Sequence, residues 1–165
     1  MVDDKQHRFP VRVFYEDTDM AGIVYYANYL RYIERARSDW VREIGIDQLE
    51  MKDEGVVFAV RSLSADYLAP ARFDDVLEVR TRVTLLRPAR MVMHQQVCRD
   101  ETVLFAADVT IVCIGANGKP AGLPANLRSL PVSDAGYHHS DSFIPIAGLR
   151  SAGGVVDHVG GGGGG

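Results

Sequence analysis

The densest group of reactive side chains in this sequence is Glu16-Asp17-Thr18-Asp19, preceded by Tyr15 and followed by Gly22 and the start of a helical pattern. Three kinds of chemistry fit it. Carboxylates ahead of a helix are favoured by its N-terminal dipole, so the segment can be an acidic turn and nothing more. Closely spaced acidic side chains can also hold a divalent cation, but no further ligand set with suitable spacing accompanies them. The third is acyl transfer. A helix N-terminus carries backbone N–H groups without intrahelical acceptors, suited to a developing oxyanion. A carboxylate seven residues upstream, on a loop that Gly22 lets turn tightly, can face the same carbon as nucleophile or general base. Residue types alone leave all three open.

Other reactive side chains are scattered. Arg87-Pro-Ala-Arg90 falls at a strand turn, where two guanidinium groups suit phosphate through bidentate hydrogen bonds or simply remain solvated. His94 falls within a strand pattern and reads as a satisfied or exposed strand residue, and His138-His139 sits in an inert tail. Cys98 and Cys113 both read as core residues and not nucleophiles. With a turn at Arg99–Thr102, Cys98 meets position 103 and Cys113 meets position 88, too far apart to bridge. Two reduced thiols are the expectation, in a cytosolic protein.

The elements that must position these groups follow from periodicity. Phe9, Val11, Val13 and Tyr15 alternate with polar residues and predict a half-buried first strand. One long helix is predicted over 26–44, with Tyr29, Tyr32, Ile33, Ala36, Trp40 and Ile44 on its apolar stripe and Gly45 closing it. Glu34 and Arg37, three apart, are expected to form an ion pair, and Asn28 to hold the helix start. Strands are predicted over 56–68 and 77–85, then a hairpin of 91–98 and 103–114 around Asp100-Glu101. The last of these is apolar on both faces and should be central. A strand, a helix and four antiparallel strands make an α+β sheet wrapped on a helix.

Composition sets the outer bounds. The chain has 165 residues, formal charge −4, 47% hydrophobic and 24% charged residues, an ordinary composition with ample core material. It excludes a collagen-like, wholly disordered or disulfide-framework protein. The acidic balance argues against nucleic acid held by bulk charge. No run approaches a membrane span, and the polar N-terminus lacks the apolar stretch of a secretory signal. Composition shifts after about Pro131, and residues 132–165 are Gly-rich, expected to be disordered or an appended tail outside the fold.

The segment Val13-Phe-Tyr-Glu-Asp-Thr-Asp-Met-Ala-Gly-Ile-Val-Tyr-Tyr-Ala-Asn-Tyr-Leu30, followed by Glu34-Arg-Ala-Arg37, resembles the signature of hotdog-fold acyl-CoA thioesterases. It is most similar to their Tol-Pal-associated group and to the 4-hydroxybenzoyl-CoA thioesterases. The similarity continues through Phe58-Ala-Val-Arg61, Tyr67-Leu-Ala-Pro-Ala-Arg72 and Asp74-Asp75, and covers roughly residues 8–131. It implies a long helix wrapped by a five-stranded antiparallel sheet, paired with further subunits as a homodimer or tetramer. It also implies hydrolysis of a short-chain or aromatic acyl-CoA to a carboxylic acid and coenzyme A.

By the resemblance, Asp19 is the catalytic carboxylate and the Tyr26 backbone N–H polarises the thioester carbonyl. Many relatives of the Tol-Pal group carry His where Tyr26 stands here. Tyr15 is expected to orient Asp19 or the acyl group, or else to pack as a strand aromatic. Gly22 and Asn28 shape the substrate side of the loop, and Arg87 and Arg90 face the nucleotide phosphates of coenzyme A. Asp19 either attacks the thioester carbon or activates water, and neither route needs a metal or a cofactor beyond the coenzyme A of the substrate. Two other functions compete: a hotdog hydratase or dehydratase, disfavoured because no His lies in the motif, and a module that binds acyl thioesters or envelope partners without turnover.

Overall fold

The computed structural model describes residues 6–130 and 132. Its sheet consists of β1 (His7–Arg12), β2 (Val56–Tyr67), β3 (Val76–Leu86), β4 (Arg90–Arg99) and β5 (Thr102–Gly115). They run antiparallel in the order β1-β3-β4-β5-β2, and a two-residue β6 (Pro120–Ala121) adds to β5. The five long strands and one long helix are those the alternation predicts. The Gly-rich segment and His138-His139 lie outside the described residues.

The long helix α1 (Asn28–Glu43) crosses one face of the sheet. Tyr29, Tyr32, Ile33, Ala36 and Trp40 are buried, as their spacing predicts, against Leu77, Val79, Met93, Val97 and Phe105. Each large side chain fully buried there contributes about 1.5–3 kcal/mol, so docking rather than helix propensity holds α1. Gly45, with φ +87°, ends it by donating its N–H to the Arg42 carbonyl at 3.0 Å.

The hairpin has the expected turn, with Arg99 opposite Thr102 and Cys98 opposite Val103. A bulge at Val97/Cys98 then moves the register by one, so that Arg90 faces Val112. The expected pairing of Cys113 with position 88 is therefore wrong: Cys113 lies between Phe58 of β2 and Ala121 of β6. Both cysteines are buried and free, and burial raises the pKa of each, that of Cys113 to about 11. That is a core environment.

Four other expectations need correction or addition. The first strand stops at Arg12: the Val13 N–H donates to the Asp75 carbonyl, and the chain turns into a 3-10 segment, Tyr15–Asp17. Two short helices were not predicted: α2 (Gln48–Asp53), capped by Asp47 Oδ1 on the Leu49 and Glu50 N–H groups, and α3 (Ala125–Arg128). Glu34 and Arg37 form no ion pair. Arg37 donates to Gln95 Oε1 at 2.9 Å, and Glu34 accepts from Ser38 Oγ. Gln95 is fully buried on β4 and gives its Nε2 hydrogens to the Ile33 carbonyl and Thr81 Oγ1. Leaving its oxygen bare would cost about 1–3 kcal/mol, against about 0.2–0.5 kcal/mol for an exposed i,i+3 pair, so Arg37 turns inward. Burial lowers the Arg37 pKa. Finally, His94 is buried with Nδ1 2.9 Å from Asp108 Oδ1, its cross-strand neighbour, a partner the sequence did not reveal.

Candidate active site

The acidic segment becomes a compact knot ahead of α1. Asp17 is buried, and its Oδ2 accepts the Phe14 N–H at 2.9 Å. Its carbonyl receives both the Tyr25 N–H and Asn28 Nδ2, each at 2.9 Å, which ties the loop to the helix start. The Tyr32 hydroxyl lies beside the Asp17 carboxyl without the geometry of a full hydrogen bond. Burial first, then this carboxyl, pushes the Tyr32 pKa well up.

Asp19 sits on the exposed tip of the knot. Its N–H donates to the Ile23 carbonyl, its carbonyl accepts from Gly22, and its Oδ1 accepts the Ala21 N–H at 2.9 Å. Gly22 makes the turn at φ +77°, where an L side chain is strained. Oδ2 has no protein partner among the described residues. One carboxylate oxygen is thus anchored, and the other is open to a substrate or water.

Downstream, Val24 donates its N–H to the Ala71 carbonyl, and Ile23 bridges Arg72. Ala71 is held in turn by the Tyr29 hydroxyl, which accepts its N–H at 3.0 Å. The chain then enters α1 two residues later than predicted. The N–H groups of Tyr26 and Ala27 have no acceptor among the described residues. Tyr26 is 60% exposed, and its carbonyl accepts the Tyr67 hydroxyl at 2.9 Å. An unpaired backbone donor at a helix start and, on the loop that leads into it, a carboxylate with a free oxygen are the two groups that acyl transfer requires.

Other predicted site residues fall elsewhere. Tyr15 is 81% exposed, its ring against Phe73, and it forms no hydrogen bond with Asp19. The reason is the early end of β1, which takes Tyr15 off the sheet. Asn28 is buried, with Nδ2 on the Asp17 carbonyl and Oδ1 accepting from Arg31 at 3.3 Å, so its side chain ties the loop to the helix start. Arg87 and Arg90 are exposed and line a hollow of about 680 Å³ with Arg61, floored by Val112, Ile114 and Pro120. This hollow is at the opposite end of β3 from the Asp19 loop. The eleven residues of β3 span roughly 35 Å, longer than the pantetheine arm of coenzyme A.

Arg61 and Tyr67 are the residues that single-residue reasoning passed over. Arg61 is the extra residue at the β2 bulge, visible in the sequence only as a charge interrupting an apolar strand. Tyr67 acts on the backbone of Tyr26, forty-one residues away, and no local spacing signals that. Among the described residues, no helix is long and apolar enough to cross a membrane.

Residues 13–130 match the family model described as the thioesterase-like superfamily. The chain is 42% identical over 122 residues to the acyl-CoA thioester hydrolase YbgC of Escherichia coli O157:H7, covering 73% of this chain and 91% of that protein. It is 36% identical over 138 residues to the acyl-CoA thioesterase YbgC of Haemophilus influenzae, covering 82% and 97%. The solved structure of a probable thioesterase from Bartonella henselae superposes with TM-score 0.69 at 36% identity, covering 72% of this chain and 99% of that one.

Proposed function

The chain belongs to the thioesterase-like superfamily and hydrolyses acyl-CoA thioesters, and we propose that it does so with the Asp19 carboxylate and the Tyr26 backbone N–H. The observation that carries this reading is that Asp19 Oδ2 and the Tyr26 N–H, on one loop leading into α1, are both without a partner among the described residues. The carboxylate attacks the thioester carbon, or takes a proton from the water that does. The tetrahedral oxyanion accepts the Tyr26 N–H, and the C–S bond breaks to release coenzyme A. By the attack route a mixed anhydride remains, which water hydrolyses. Either way the products are the acid and the thiol, with no cofactor beyond the substrate's own coenzyme A.

The acyl group we propose is short and aliphatic, or aromatic. The size of the groove between α1 and β2 supports a small group: it holds about 210 Å³, lined by Val41, Phe58, Val60, Met93 and Ile111 together with Glu34, Arg37, Ser38 and Gln48. A hydrolysis assay over an acyl-CoA panel with a thiol-reactive dye tests the reading. Thiol release is expected, fastest for such acyl groups. A change in enoyl absorbance without thiol release would mean a hydratase, and neither signal would mean a binding module.

The working unit is proposed to be a homodimer or a tetramer built from it, in the cytoplasm, where the two free thiols stay reduced. The two sheet edges differ. β1 is short and carries Pro10, which blocks pairing, whereas the twelve residues of β2 contain no proline and expose Val57, Val60 and Leu63. Antiparallel self-pairing of β2 about its centre brings the partner's 56–59 end beside this chain's Tyr67 and Tyr26. The hollow of Arg61, Arg87 and Arg90 adjoins that end through β5. Each site then takes its carboxylate from one chain and its phosphate-binding arginines from the other.

Arg87→Ala with Arg90→Ala is expected to raise KM for acyl-CoA and to leave a substrate truncated before the nucleotide little affected. Equal losses on both substrates return these residues to a solvated turn. Mixing that variant with Asp19→Asn chains distinguishes the two geometries. If sites are shared, about a quarter of all sites in a randomly exchanged mixture are intact, and low-substrate activity exceeds that of either parent. If each chain supplies its own arginines, mixing restores nothing.

A further inference from the structure

We propose that His7, Asp39 and Glu43 form a binding site for a first-row divalent cation such as Zn²⁺, remote from the catalytic loop and independent of the function proposed above. β1 lays His7 against the last turns of α1, where Asp39 and Glu43 stand four residues apart on one face. The His7 side chain is 5% exposed, with Nε2 2.8 Å from Asp39 Oδ2 and 3.3 Å from Glu43 Oε2. The three ligand atoms lie within 4.8 Å of one another. In sequence these residues are thirty-two and four positions apart, which is why no ligand spacing was visible.

The chemistry favours a cation over a proton. An imidazole nitrogen carries one hydrogen, and so can satisfy only one of the two carboxylates crowding it. A metal ion in place of that hydrogen engages all three. Zinc–nitrogen and zinc–oxygen bonds of about 2.0–2.2 Å set tetrahedral ligands roughly 3.3–3.5 Å apart. The His7–Glu43 separation is already of that size. Asp39 and Glu43 are partly exposed and can open the shorter contact by the few tenths of an ångström needed.

The hollow outside them, about 380 Å³ and bordered by Gln6, Arg8 and Arg42, leaves room for water as a fourth ligand. Arg8 is engaged by Glu78 at 2.8 Å, while Arg42 opposes the cation. Coordination through Nε2 leaves the proton on Nδ1, which is buried without a hydrogen-bond partner among the described residues. Both features make this site weaker than a closed structural zinc site. Its effect is a clasp between the edge strand β1 and the C-terminal end of α1, about 22 Å along the helix from its start.

The test is thermal unfolding of the full chain in ZnCl₂ and in EDTA, beside calorimetric zinc titration. Zinc is expected to raise the midpoint of the unaltered chain by about 2–8 °C, with one ion bound per chain at this site. MgCl₂, which prefers oxygen-only octahedral ligands, should raise it little. His7→Gln and, separately, Asp39→Asn with Glu43→Gln are expected to abolish the zinc-dependent rise and one equivalent of binding. The carboxylate pair is exposed enough that its replacement leaves the fold intact. No rise in the unaltered chain, or the same rise and stoichiometry in both variants, overturns the site.

Discussion

Asp19→Asn is expected to lower kcat by about 10²–10⁴, the range for loss of acid–base or nucleophilic catalysis. The change removes little else. Asn keeps the Oδ1 that accepts the Ala21 N–H, so the turn through Gly22 survives, and Asp19 is exposed and holds no core contact. What disappears is the negative charge on Oδ2. Steady-state kinetics with a thiol-reactive dye measures the loss, and an unchanged unfolding midpoint separates chemistry from stability. Asp17→Asn is the internal control. Its buried carboxyl serves the Phe14 N–H, a bond that Asn can also accept, so kcat should fall far less. A folded Asp17→Asn variant more impaired than Asp19→Asn would transfer the catalytic role away from Asp19.

The second large effect is expected at Tyr26, and it depends on the atom removed. Tyr26→Pro deletes the backbone N–H and should lower kcat by about 10²–10³, as loss of an oxyanion donor does. That N–H holds no acceptor in the fold, so its removal breaks no structural bond. Tyr25, the residue that proline would restrict, lies outside α1. Tyr26→Phe should keep activity within several-fold, because the Tyr67 hydroxyl bonds the carbonyl of residue 26 and not its phenol. Tyr26→His should stay active with an altered pH profile. Circular dichroism checks that the proline variant is folded. A phenylalanine variant as inactive as the proline one would give the role to the phenol hydroxyl.

Much of this was legible because it is periodic or local. The stripe on α1 and the alternation in β3 identify themselves by spacing, and Gly22 and Gly45 each mark a left-handed turn. The errors share a cause: a distant group won over a neighbour. Alternation carried the first strand through Tyr15, but the Asp75 carbonyl takes the Val13 N–H and the chain turns away. Helical spacing paired Arg37 with Glu34, but a buried glutamine on β4 holds the stronger claim. The helix start was set two residues early because nothing local shows that the Asp17 carbonyl engages Tyr25 and Asn28. Either start leaves the Tyr26 N–H without an intrahelical acceptor, but the later one puts Tyr26 on the loop that enters α1. The family resemblance put Asp19 and the Arg87–Arg90 turn at one substrate, and only the length of β3 shows that one chain does not bring them together.

The buried Gln95 has a consequence beyond its own bonds. An apolar interface between a helix and a sheet fixes how much surface is covered far better than where along its axis the helix rests, because neighbouring ridges offer nearly equivalent seats. Directional bonds remove that freedom. Gln95, anchored within the sheet by Thr81, grips the Ile33 carbonyl and Arg37 of α1, and a slip of the helix by one turn would break both of those bonds in a dry core. The glutamine acts as an index pin between the helix and β4, seated more than a turn beyond Tyr26 and touching nothing that reacts. Since a misplacement of about 1 Å in a catalytic group can cost 10²-fold in rate, the aim of the proposed oxyanion donor is set from inside the core.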